Sequence, residues 1–113
     1  LVRLFQRSDV FVSASAYESY GIAAAEALSA GLPVVSWAEG GLWEFLSPGE
    51  DALRVAPRDR AGLARALSQL CEDRALLRRL RRGARRSGRT LPRWEDAAMR
   101  VEQIASGVRH AAA

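Results

Sequence analysis

SDVFVSASAYESYGIAAAEALSAGLPVV, residues 8–35, decides how this chain folds. Val10-Phe11-Val12-Ser13 is a short β-branched and aromatic run, the pattern of a buried strand. Ser15 to Gly21 is polar and aromatic and reads as a loop. Ile22 to Ala30 is rich in alanine and helix-forming, and Gly31 stands where a C-terminal cap belongs. Pro33-Val34-Val35-Ser36 is a second buried strand. Its proline is at the strand start, where the missing N–H does least harm.

The pattern continues outward from this unit. Gly40-Gly41 marks a turn and Leu42 to Leu46 one helical turn. Ser47-Pro48-Gly49 is a break, and Ala52 to Val55 is a third short strand. A helix opening at Asp59 or Arg60 runs through Cys71, with Leu63, Ala66, Leu67 and Leu70 on its inner face. A second runs from about Asp73 to Ser87 with Leu76, Leu77, Leu80 and Ala84 inward. Pro92 interrupts, and Trp94 to Ser106 reads as a last helix with Ala98, Val101 and Ile104 inward. Short continuous strands alternating with helices predict an α/β fold, a parallel sheet with flanking helices. Residues 1–113 read as a single partial domain, with an α/β portion to about residue 57 and a helical portion beyond it.

Composition narrows the class. The 113 residues are 49% hydrophobic and 27% charged, which is globular rather than disordered. A chain of this length buries roughly two thirds of the surface its unfolded form exposes. No apolar run approaches the ~20 residues of a membrane span. Arg3 and Arg7 break the pattern a signal peptide would need. Cys71 is the single cysteine and His110 the single histidine, so neither a disulfide nor a Cys/His metal site is expected. A reducing, cytoplasmic compartment is the expectation. All 17 basic residues are arginine, which reads as a compositional bias. The chain opens at Leu1 in what reads as the last turns of a helix, and it is expected to be a piece of a longer protein.

The stretch YESYGIAAAEAL, residues 17–28, carries the chemistry. In a parallel sheet, a ligand sits outside the carboxyl ends of the strands, and the Ser13 to Gly21 loop is at such an end. Gly21 lets the backbone approach a ligand closely. The helix beginning near Ile22 turns its unpaired N–H groups and positive dipole end toward that crevice, which suits an anion. Glu18 is in the loop, and Glu26 is just over one turn into the helix. One carboxylate accepts from two vicinal hydroxyls, so the stretch suits a ligand with both phosphate and sugar hydroxyls. The plainer alternative is that Glu26 is a good helix former on a wet face.

Residues 8–35 resemble the signature region of the retaining GT-B glycosyltransferases of family 4, the group 1 glycosyltransferases. That signature is an Ala-Asp-hydrophobic strand, Pro-Ser, Glu-Gly-Phe-Gly, a helix carrying Glu-Ala, then Gly-x-Pro-Val. Glu18 and Glu26 match its paired glutamates. Gly40-Gly41 with Glu44 resembles its Gly-Gly-x-x-Glu turn, and Gly49 to Pro57 its next loop and strand. Arg93-Trp94-Glu95 fits its last helix. Ser19 replaces the usual Gly, Tyr20 the usual Phe, and Ala14-Ser15 the usual Pro-Ser. The resemblance implies a Rossmann-like sheet forming the C-terminal part of the second domain of a GT-B fold. It implies transfer of a sugar from a nucleotide-diphosphate sugar to an acceptor hydroxyl with retention. Glu18 would be the catalytic-site carboxylate beside the donor sugar. Ser19, Tyr20, Gly21 and Ile22 would approach the sugar and diphosphate, and Glu26 would bind the nucleotide ribose. No metal or other cofactor is implied. The family's Arg and Lys for the leaving group lie upstream of the glutamates and have no match here. The segment alone is therefore expected not to turn over, the acceptor, a sugar or lipid-linked glycan, being met by a missing N-terminal domain.

The run LLRRLRRGARRSGR holds Arg78, Arg79, Arg81, Arg82, Arg85, Arg86 and Arg89 with no acid among them. It reads as a solvated helix face over buried leucines, or as a surface attracted to an anionic membrane at the inner face of the cell. Nucleic acid is not expected, because no aromatics are interleaved. Two further readings of the whole chain remain beside the transferase one. The chain could be a non-catalytic remnant that keeps the fold and binds a partner, or a basic adaptor resting on the arginines alone. No Gly-x-Gly-x-x-Gly, Walker loop or Ser/His/Asp set is present.

Overall fold

The computed structural model describes residues 2–91 and 103–107. The order is α1 (Val2–Gln6), β1 (Phe11–Ser13), α2 (Ile22–Ser29), β2 (Val34–Ser36), a 3-10 turn (Gly41–Glu44), β3 (Ala52–Arg54), α3 (Arg60–Glu72) and α4 (Arg74–Thr90). Of the expected helix from Trp94 to Ser106, residues 103–107 are helical and the rest lies outside the described residues; Ile104, expected inward, is exposed. Among the described residues no helix is long and apolar enough to cross a membrane.

The strands form one parallel sheet in the order β1-β2-β3, with Phe11 opposite Val34 and Val34 opposite Ala52. This is the α/β, Rossmann-like arrangement expected from the sequence. β2 is central and wholly buried because both of its faces are covered. Alternation along the strand sends Val34 and Val35 to opposite sides. Val34 joins Ala24, Ala27, Leu28 and Leu42 on the α2 side. Val35 joins Leu70, Leu76, Leu77 and Leu80 on the α3 side. Alanines in α2 let the helix lie close to the sheet. Among the described residues β1 pairs on one side only, and Val12 on it is 40% exposed.

Asp59 and Asp73 start the two long helices. Their carboxylates accept from the Gly62 and Leu76 N–H groups at 2.9 and 3.0 Å, which supplies partners for otherwise unmatched donors. α4 then crosses beneath the amino ends of all three strands. Arg81 pairs with Asp9, before β1, at 3.0 Å. Arg85 lies over Gly31, shortly before β2. Ser87 donates to Asp51, before β3, at 2.6 Å. α4 continues to Thr90, past the expected end at Ser87. Gly88 lets it pass close over the Leu28 carbonyl, where a Cβ would overlap. Gly83 meets the Glu50 carbonyl in the same way, so close packing offsets the roughly 1 kcal/mol a helical glycine costs.

Candidate functional site: a crevice at the carboxyl ends of the strands

With α4 closing the amino ends of the strands, the loops after β1 and β2 meet at the opposite end. They are tied by backbone. The Glu18 N–H donates to the Glu39 carbonyl at 2.9 Å, and the Glu39 N–H donates to Ala16 at 3.1 Å. Gly40 and Gly41 then run directly against the first loop. Gly40 has φ +115°, and a Cβ on it would overlap the Glu18 carbonyl oxygen. A Cβ on Gly41 would overlap that of Ser19. The two motifs far apart in sequence are one piece of structure.

Tryptophan 43 braces the second loop. Its Nε1–H donates to the Ala38 carbonyl at 2.7 Å, and the Ser36 hydroxyl accepts from the Ala38 N–H at 2.9 Å. The Arg54 guanidinium, at the end of β3, stacks 4.7 Å from the Trp43 ring centroid. Sequence reading singled out neither residue. The signal was an indole inside the Gly-Gly-x-x-Glu turn, and its hydrogen bond is a long-range consequence of the fold.

Gly21 makes the corner into α2. It is left-handed, with φ 80° and ψ 52°, and a Cβ would come within 2.8 Å of the Leu42 Cβ. Both conformation and space therefore demand glycine. No side chain caps α2, so its first-turn N–H groups are left for solvent or a ligand at the crevice. Ser19, in the usual Gly position, is exposed. Arg58 is the one described non-glycine residue with positive φ, so the Ser19 side chain is accommodated without backbone strain. Tyr20 stacks at a tilt on Phe45, with centroids 5.8 Å apart.

Glu18 is half-buried in the loop, and Glu26 is half-buried on α2. Ile22, Ala23 and Glu26 share the outer face of that helix, because residues three and four apart align. Ile22 is 51% exposed. Neither carboxylate is engaged by a hydrogen bond or ion pair among the described residues. The carboxyl ends of the strands thus carry an open helix N-terminus, two unengaged carboxylates and a close-packed diglycine contact. A separate open depression of about 710 Å³ runs along α3, past Arg65, Gln69 and Glu72, away from these groups.

The sequence model described as "Glycosyl transferases group 1" matches residues 1–87. The chain belongs to that family. A glycogen synthase of Mycobacterium tuberculosis is 38% identical over 92% of this group 1 chain, and the match takes up 25% of that protein. A D-inositol 3-phosphate glycosyltransferase of Thermomonospora curvata is 34% identical over 96% of the chain and 25% of its own length. Among solved structures, the sucrose-phosphate synthase of Thermosynechococcus elongatus superposes with a TM-score of 0.79 at 33% identity. That superposition covers 96% of this chain and 27% of the other. The group 1 chain spans about a quarter of the length of the curated relatives it matches.

Proposed function

We propose that this chain is the donor side of a GT-B glycosyltransferase. In a longer polypeptide it moves a sugar from a nucleotide-diphosphate sugar to an acceptor hydroxyl, with retention of anomeric configuration. The observation that carries this reading is the juxtaposition at the crevice. The loop held by the tight contact of Gly40-Gly41 with Glu18-Ser19 leads straight into the uncapped N-terminus of α2, and Glu18 on the loop and Glu26 on the helix are half-buried and unengaged. Helix N–H groups and the dipole suit a diphosphate and the charge that develops on it as the leaving group departs. Glu18 lies beside the donor sugar as the catalytic-site carboxylate. The backbone of Ser19, Tyr20, Gly21 and Ile22 lines the sugar and diphosphate. Glu26, one turn into α2, takes the ribose hydroxyls. The chemistry is carried by these protein groups with no resident metal, and the reaction belongs to the cytoplasm.

Family membership and the names of the relatives, which are transferases and synthases, support the enzyme reading over a partner-binding remnant. The exposed Val12, Tyr17 and Ile22 favour the remnant to the extent that they offer an apolar surface. The test is calorimetry on the complete polypeptide with UDP-, ADP- and GDP-sugars, followed by NMR of the product anomer. One nucleotide sugar binds and is turned over with its configuration kept. Absence of binding to every nucleotide sugar hands the fold to the remnant, and an inverted product removes retention.

A further inference from the structure

The arginine run of α4 acquires a direction in the folded chain. At about 100° per residue, Leu76, Leu77, Leu80, Gly83 and Ala84 fall on one side of the helix and are buried. Arg78, Arg79, Arg82, Arg85, Arg86 and Arg89 fan over the other side, and all six are exposed. Ala75 before them and Thr90 after them are exposed and uncharged. Arg81 does not belong to this face: it is half-buried, and its guanidinium is taken by Asp9. None of the six has an ion pair among the described residues. Among the described residues the acids at this end are few: Asp9 is engaged by Arg81, Asp51 is buried, and Glu50 is exposed and unengaged. Arg7, two residues before Asp9, adds to the positive side.

α4 closes the amino ends of the strands, so this face points away from the crevice at their carboxyl ends. It cannot serve the donor diphosphate. We propose that the α4 face docks the protein on an anionic lipid bilayer, with the crevice turned away from the bilayer surface. Six guanidiniums along a helix of 17 residues, about 25 Å, complement a sheet of negative headgroups. A bilayer fits better than nucleic acid for two reasons. The face carries no aromatic to stack on a base and no amide to read one. Its helix is also seated in the body of the fold between α2 and α3 rather than projecting from it. A groove about 12 Å wide admits a free helix, whereas a flat bilayer meets a seated one without entry. The inference is independent of the sugar-transfer reading, because the two ends share no residues.

The experiment is co-sedimentation of the complete polypeptide with two kinds of vesicle. One is equal parts phosphatidylglycerol and phosphatidylcholine, and the other is phosphatidylcholine alone. Binding is expected to the first only, and to fall away in high salt. The triple variant Arg78→Gln, Arg82→Gln, Arg85→Gln should bind roughly a hundredfold more weakly. Arg58→Gln, Arg60→Gln, Arg65→Gln removes the same charge elsewhere and should bind severalfold better than the first variant. Equal binding to neutral vesicles overturns the proposal. So does equal loss in the two triple variants, which would reduce the effect to net charge. Tighter binding to a short DNA or RNA duplex than to the charged vesicles, with the same arginine dependence, assigns the face to nucleic acid instead. The comparison of lipids and salt on the unmodified protein stands even if a variant misfolds.

Discussion

Gly41 lies against Ser19 with no room for a side chain between them. A Cβ on Gly41 would overlap the Ser19 carbonyl oxygen, as one on Gly40 would overlap that of Glu18. Two loops that follow adjacent parallel strands are thereby locked at the crevice. The position of Glu18 is set by glycines more than twenty residues later as much as by its own loop.

Gly41→Ala is accordingly expected to displace the Glu18-Ser19 backbone. Overpacking of this kind costs about 1–3 kcal/mol. The donor KM in the complete polypeptide should rise at least about tenfold, since small misplacements at a reacting centre are costly. Gly107→Ala, with nothing among the described residues within 4 Å of its added Cβ, should leave both quantities unchanged. An unaltered KM in Gly41→Ala would mean that the diglycine contact does not shape the donor site.

The two glutamates are expected to separate in kinetics. Glu26→Gln should raise the donor KM about tenfold to a hundredfold, the range for losing a charged hydrogen-bond acceptor. Its kcat should change little. Glu18→Gln should lower kcat roughly a hundredfold or more at similar KM, if its charge is felt mainly in the transition state. Neither side chain has a partner among the described residues, so thermal stability should hold in both variants. A Glu26 variant with unchanged KM for the donor returns that residue to the role of helix former on a wet face.

The sheet was legible because its signals are local. The β-branched runs at 10–13 and 33–36 gave two strands to within a residue, and Gly31 marked the end of α2. The inner stripes of α3 and α4 followed from helical spacing, and Leu70, Leu76, Leu77 and Leu80 are all buried. Two things were not legible. The spacing of Glu18 and Glu26 said nothing of the Gly40-Gly41 contact, which depends on how two parallel strands align their loops. The arginine run also gave no sign that Arg81 belongs to Asp9, a partner 72 residues away. A charged residue's place on a helix is readable from its spacing, but its partner on another element is not.

Asp51 illustrates the same limit and yields a stability prediction. It is fully buried, with 0% exposure. One oxygen accepts from the Ser47 N–H at 2.8 Å and the other from the Ser87 hydroxyl at 2.6 Å. It therefore ties the turn before β3 to the last turn of α4. Asp51→Ala leaves both donors without an acceptor and should destabilise by about 2–4 kcal/mol. Asp51→Asn keeps the shape and an acceptor for Ser47, and should cost about half as much. Hydrogen exchange of the α4 amides is the readout, because α4 should loosen before the sheet. Combining Asp51→Ala with Ser87→Ala should cost less than the sum of the two, as paired residues do.

Trp43 offers the sharpest test of whether the second loop is a positioning device. Its indole N–H reaches the Ala38 carbonyl, and its ring face carries Arg54. The loop from Ala38 to Gly41, which presses on Glu18 and Ser19, is thus held from both ends. Trp43→Phe removes the hydrogen bond and keeps an aromatic face for the guanidinium. It should cost about 1 kcal/mol in stability. Trp43→Leu removes the stacking as well, worth a further ~0.5–1 kcal/mol at an exposed cation. Trp43 has no contact with the crevice carboxylates among its hydrogen bonds and ring contacts, so a purely structural role predicts lost stability with unchanged kinetics. A positioning role predicts a severalfold rise in donor KM in Trp43→Phe, larger in Trp43→Leu, measured below the unfolding transition of each variant. Kinetics that stay flat while stability falls would confine Trp43 to the fold and leave the diglycine floor to be held by backbone alone.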